Sequence, residues 1–320
     1  MQTDPTITVR RLKLTFPAQI DPMLLEGQPE LSYALVALSL SLPYVEPWAI
    51  RTMTQAKRFV TDPALLEQIA LFNGQEGQHA RLHGRFNKAV RESCPALQAL
   101  EEELAQDFQR FTTTRSLKWN LAYAEGFEAF TGTLASFLLE EQTLRDAQPA
   151  VRDLFEWHIV EELEHRCVAF DVYEHLYGGY AYRLAVGLYA QWHLARFVLR
   201  AARAMLEHDR AHGRDHGGKA ASRARLRPFL RRARRRLLPK LLGTKSPWYT
   251  PHRVGMPAGA EAVLQRLEVT SPVAPAGVAI PVEKPSRRPT RPDLDRVPVA
   301  MIARVESARF AAVTGGDLSG

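Results

Sequence analysis

Glu162-Leu163-Glu164-His165 and Glu76-Gly77-Gln78-His79 are two E-x-x-H units, each inside a stretch with helical periodicity. A spacing of three puts Glu and His on one helix face about a turn apart, where one metal ion can take an oxygen and a nitrogen. With this much Glu and His, roughly one such unit is expected by chance in a chain of this length, so the spacing alone decides nothing. What carries weight is the distance back to a preceding carboxylate. Glu46 stands thirty residues before Glu76, with the helix-start signal Asp62-Pro63 near the midpoint. Glu128 stands thirty-four residues before Glu162, with the Asp146 to Pro149 turn again near the middle. At 1.5 Å per residue each arm is roughly 20–25 Å long, so each helical hairpin returns its two glutamates to the same level. Di-metal bundles are built this way, with a Glu from each of two helices and an E-x-x-H from each of the other two.

Working outward, helices are expected from Pro29 to a break or kink at Pro43 and Pro47, and from about Glu46 to Val60. Others follow from Pro63 to about Val90, Ala96 to Phe111, Leu117 to Leu144 and Pro149 to Tyr177. Tyr182 to Glu207 and a weak segment near Ala260 to Leu267 complete the set. The alternation Ile7, Val9, Leu12, Leu14, Phe16 suggests a short strand or an extended arm. The fold expected is all-α: a ferritin-like four-helix bundle with additional C-terminal helices. It divides into an N-terminal arm (1–28), the di-metal bundle (29–210), a basic extension (211–257) and a mostly flexible, Pro-rich tail (258–320).

Six residues are therefore the expected metal ligands: Glu46, Glu76, His79, Glu128, Glu162 and His165. Glu125, one turn before Glu128, is the alternative for that position. Glu46, placed before Pro47, has a helix-capping residue as its alternative reading. His158 and His83 lie four residues from the two units; His158 reads as an extra ligand or as support behind the ligands, and His83 as a surface residue. Glu161 and Gln75 are candidate partners for the imidazole N–H groups. Glu161 and His158 are also the candidates for assisting catalysis. An all-Glu/His, oxygen-rich set suits two irons, with manganese or zinc as alternatives, and disfavours a structural zinc site.

Only Cys94 and Cys167 occur, unpaired in sequence, so a disulfide framework and thiolate metal sites are disfavoured and a cytoplasmic setting fits. The N-terminus lacks a signal-peptide pattern, and the longest nearly unbroken apolar stretch, Leu31 to Leu42, is too short to span a bilayer. The net charge of +7 is concentrated: Arg196 to Lys240 holds fifteen Lys or Arg against Glu207, Asp209 and Asp215. Arg223 to Lys240 interleaves leucines with arginines, as a basic amphipathic helix on an anionic membrane surface does, so peripheral membrane contact is an alternative to a packed, solvated helix. Nucleic acid is disfavoured because no recognised binding motif accompanies the charge. The expected partners are a small-molecule substrate and, in the assembly, a second copy of the chain as a homodimer.

Three stretches carry a resemblance: Gly74-Gln75-Glu76-Gly77-Gln78-His79, Leu42-Pro43-Tyr44-Val45-Glu46, and Trp157 to His165 continuing into Ala169-Phe170-Asp171-Val172-Tyr173. Together they resemble the bacterial family of predicted metal-dependent hydrolases among the ferritin-like proteins, over about residues 7 to 255. Val45 stands where that family tends to have Gly. The resemblance implies a ferritin-like fold and a metal site. The chemistry expected is dioxygen-dependent oxidation of a small apolar substrate, or hydrolysis by metal-bound hydroxide as the alternative. A binding protein using the basic segment is a third reading. No H-E-x-x-H, G-x-S-x-G or P-loop motif supports another hydrolase class.

Overall fold

A computed structural model describes residues 6–270, and the fold is all-α. The helices are α1 (Pro29–Ala56), α2 (Pro63–Arg91), α3 (Leu97–Thr114), α4 (Leu117–Glu140), α5 (Pro149–His165), α6 (Val168–Leu176), α7 (Tyr180–Ala211), α8 (Gly218–Arg232), α9 (Leu238–Gly243) and α10 (Ala260–Thr270). The hairpins α1–α2 and α4–α5 pack side by side, α1 on α4 and α2 on α5, and enclose one core. α7 lies across α1 and α4.

α2 shows how the sequence sets the site. Asp62 caps its N-terminus by accepting from the Ala64 N–H at 2.9 Å, and Pro63 begins the first turn. Its buried stripe reads Leu65, Ile69, Phe72, Glu76, His79, His83, Phe86, Val90. The helical spacing is unbroken, but the middle of the stripe is polar, so packing at both ends forces Glu76, His79 and His83 inward. His83 is fully buried, which corrects its reading as a surface residue.

α1 departs from expectation in another way, running continuously through Pro43 and Pro47 without a break. Glu46 is therefore in mid-helix and not at a cap. Pro43 has no N–H to give the Ser39 carbonyl four residues back. Asn87 of α2 supplies the missing donor, Nδ2 to the Ser39 carbonyl at 2.8 Å, so the helix continues across the lost bond. α1 is also, among the described residues, the helix long and apolar enough to cross a membrane, and most of its apolar window is buried in the bundle.

The helix expected from Pro149 to Tyr177 is two. α5 stops at His165 and α6 begins at Val168. Arg166 turns back to donate to the Leu163 carbonyl and reaches the Pro251 carbonyl at 3.2 Å, satisfying groups that the break exposes. α4 ends at Glu140, short of Leu144, where Gln142 adopts a positive φ of 48°. Residues 6–28 form neither strand nor helix. They run as an extended arm with Val9, Leu12 and Leu14 buried. Val9 seats against Gly74, where a Cβ would come within 2.7 Å of its Cγ2.

The basic segment is helical, with five residues of wider π-type winding (Ala233–Leu237) between α8 and α9. Phe229, Ala233 and Leu237 pack against the core, while Arg232 and Arg236 pair with Glu141 and Lys240 with Glu140. Leu230, Leu238 and Leu242 on the same segment are exposed. α10 packs on α5, with Arg266 bonding Asp153 and Glu156. Most of the expected tail, residues 271–320, lies outside the described residues.

Candidate metal centre

Glu46 from α1, Glu76 and His79 from α2, Glu128 from α4, and Glu162 and His165 from α5 converge at one depth in the bundle. All six are at most 5 % exposed. His165 Nε2 lies 3.1 Å from Glu76 Oε1, 3.4 Å from Glu162 Oε1 and 3.5 Å from Glu128 Oε2. At the other end, His79 Nδ1 lies 3.9 Å from Glu46 Oε1 and 4.0 Å from Glu76 Oε1. His158 joins that end, its Nε2 3.2 Å from Glu162 Oε1 and 3.8 Å from Glu46 Oε1. Glu76 and Glu162 thus reach toward both ends, Glu46 belongs to the His79 end, and Glu128 to the His165 end. Glu125 points elsewhere, into a 2.7 Å ion pair with Arg183 of α7.

Each E-x-x-H imidazole is held from behind. His165 Nδ1 donates to Gln75 Oε1 at 2.9 Å. Gln75 is oriented because its Nε2 donates to the Thr8 carbonyl and to Glu164 Oε2 at 3.0 and 2.8 Å. His79 Nε2 donates to Glu161 Oε2 at 3.1 Å. Arg10 completes this layer, bonding Glu164 at 2.7 and 2.9 Å and Glu161 at 3.1 Å. Both Glu161 oxygens are engaged this way, so it acts by positioning His79 and does not face the cluster's interior. Thr8, Arg10 and Glu164 were not expected in the site. The alternation that buries Val9, Leu12 and Leu14 was the available signal, since it leaves Thr8 and Arg10 on the arm's other side.

The inward nitrogens are left bare by these bonds. His79 Nδ1, His165 Nε2, both Glu46 oxygens, Glu76 Oε1, Glu128 Oε2 and Glu162 Oε2 are buried without a hydrogen-bond partner. Buried polar atoms of this kind are costly unless something polar meets them. Four carboxylates carry the charge of two divalent cations, and the imidazoles present lone pairs, so the donor set fits two metal ions held by oxygen and nitrogen. Taken as side chains alone, the carboxyls are strained electrically. Burial, then the neighbouring Glu76, pushes the Glu46 carboxyl well above its usual range; burial does the same to Glu76, with Glu128 adding to it. Burial and Glu162 push Glu128 up to about 7.

A family model described as "predicted metal-dependent hydrolase" matches residues 8–255, from the arm through the segment after α9. The chain belongs to the predicted metal-dependent hydrolase family. No curated protein and no solved structure matches it. Membership in the metal-dependent hydrolase family makes the chain a metal-dependent enzyme, in keeping with its buried Glu/His clusters. The matched region includes Thr8 and Arg10, so the arm belongs to the family's shared part as much as the helices do. Phe72 and Trp157 stand edge-on to His165 and His79, at 4.7 and 4.8 Å between ring centroids, and wall the cluster with apolar surface.

Proposed function

We propose that this chain is a di-iron carboxylate enzyme that oxidises a small apolar substrate with dioxygen. The observation that carries the reading is the burial of an oxygen-rich donor set. The six residues are almost wholly shielded, which admits a small apolar gas far more readily than a hydrated ester or amide. Glu46, Glu76 and His79 would hold one iron and Glu128, Glu162 and His165 the other, with Glu76 and Glu162 reaching toward both ends. Bound ferrous iron would supply the electrons with which dioxygen is reduced. The protein fixes what surrounds that chemistry. Glu161 and Gln75 hold the two imidazoles in one tautomer, Arg10 pairs with Glu161 and Glu164 behind them, and the Phe72 and Trp157 rings keep water out. Glu76 Oε1 and Glu162 Oε2 have no hydrogen-bond partner and so would be available to bind metal.

Hydrolysis is the second reading, favoured by the family description. In it the same ligands hold metals that lower the pKa of a bound water. Purification without oxygen, metal analysis and then admission of air separate the two. Oxidation predicts two irons per chain, oxygen uptake and a new absorption band after air is admitted. Turnover of ester or amide probes by a colourless zinc or manganese form, with no oxygen uptake by the iron form, overturns oxidation in favour of hydrolysis.

A further inference from the structure

We infer that His158 is a third histidine ligand, binding through Nε2 at the Glu46–His79 end, in a tautomer imposed by a hydrogen-bond chain that starts at Pro43. The inference rests on the di-metal reading above and adds a seventh ligand to it.

The chain of bonds has only one consistent direction. Pro43 leaves the Ser39 carbonyl without its helical donor, and Asn87 Nδ2 donates to it at 2.8 Å. That bond orients the amide, so Asn87 Oδ1 faces Ser39 Oγ, 2.6 Å away, and must accept the hydroxyl proton. With its one hydrogen used, Ser39 Oγ accepts from His83 Nδ1 at 2.7 Å. A neutral His83 then has a bare Nε2, which accepts from His158 Nδ1 at 3.1 Å. His158 therefore carries its proton on Nδ1, and its Nε2 presents a lone pair to Glu162 Oε1 at 3.2 Å and Glu46 Oε1 at 3.8 Å. A lone pair aimed at two carboxylate oxygens is repulsive unless a cation lies among them. The inward atoms of Glu46, His79 and His158 lie within 4.8 Å of one another, close enough to share one ion.

The arrangement repeats the logic of the other two imidazoles. His79 spends one nitrogen on Glu161 and His165 spends one on Gln75, each turning the other inward. His158 spends its outer nitrogen on His83, which is why a buried histidine occupies that position on α2. A neutral third imidazole leaves the charge balance of four carboxylates and two divalent ions unchanged. It makes the two ends unequal, with two nitrogens at one and one at the other.

The test counts imidazoles on the metals. In the full chain loaded with two zinc ions, nitrogen-15 spectra of labelled histidine are expected to show three metal-bound imidazole nitrogens, two of them from rings protonated at Nδ1, of which one is lost in His158→Gln. X-ray absorption of the anaerobic iron(II) form is expected to show imidazole scattering falling by about one third in that variant. Two metals bound by only two imidazoles in the unmodified chain would overturn the inference and leave the di-metal reading standing. No metal bound at all would overturn both. Because the unmodified chain gives the count, the inference stays testable even if His158→Gln does not fold.

Discussion

Arg10 grips Glu164 through both guanidinium nitrogens, at 2.7 and 2.9 Å, and so ties an extended arm to the back of the buried Glu/His cluster. Glu164 in turn receives Gln75, which holds His165, while the same arginine reaches Glu161, which holds His79. One residue outside the helices therefore supports an imidazole at each end of the site. Arg10→Ala leaves two buried carboxylates without their counter-ion and is expected to cost on the order of 3–5 kcal/mol. Arg10→Lys cannot form the fork and is expected to recover only part. Thermal melts and metal retention on dialysis check this, and unchanged metal retention in a folded Arg10→Ala chain would contradict the supporting role.

Glu125 and Glu128 differ by one turn, and the structure separates their tasks. Glu125→Gln weakens the buried pair with Arg183 and is expected to lower stability while leaving metal content intact. Glu128→Gln is expected to do the reverse, reducing metal content sharply with a smaller effect on the melt of the metal-free chain, because it removes one of four crowded buried carboxylates. Metal analysis of the two variants side by side decides the matter. Equal metal loss in both would contradict the assignment.

α4 and α7 touch through two glycines, and the contact is lopsided. A Cβ on Gly126 would lie 2.1 Å from the Gly187 Cα, whereas one on Gly187 would lie 3.1 Å from the Gly126 Cα. Gly126→Ala must push the helices apart and is expected to cost about 3 kcal/mol or more, shifting α4 and with it Glu128. Gly187→Ala is expected to cost less. Denaturant titration of both variants gives the order, and the reverse order would contradict this packing.

Acidity offers an independent check. In the metal-free chain burial holds Glu46 and Glu76 well above their unfolded value of 4.5 and Glu128 at about 7. A carboxyl raised in this way keeps its proton in the folded chain after the unfolded chain has lost it. Its contribution to stability is full below the unfolded value and is lost as pH rises through the folded one. His79 and His83, pushed down chiefly by burial, act oppositely, but only below their unfolded value of 6.5. From pH 6.5 to 8 the metal-free chain is therefore expected to lose stability, by about 1 kcal/mol for each raised group that titrates there. Metal binding displaces those protons, so loading is expected to strengthen with pH and to remove the loss. A melting temperature of the metal-free chain that rises over this range would contradict the account.

The helical hairpins and the convergence of the six Glu and His residues were legible because helical rise converts residue counts into depth. Thirty residues from Glu46 to Glu76 and thirty-four from Glu128 to Glu162 needed only a turn in the middle. Hairpin length favoured Glu128 over Glu125, but the residue that engages Glu125, Arg183, lies on α7 and has no local signature. The prolines of α1 misled for a similar reason: a lone Pro43 predicts a break, and the donor that prevents it, Asn87, is forty-four residues away on another helix. His83 and Arg10 were hidden likewise, since what buries or engages each of them comes from elements far off in sequence.

The most direct test of the central claim is a titration of the metal-free chain with ferrous iron under anaerobic conditions, alongside Glu76→Ala and His165→Ala. The account predicts two irons bound per chain, with at least one lost in each variant while its helical content is retained. Two irons bound equally by the unmodified chain and by both variants would contradict it.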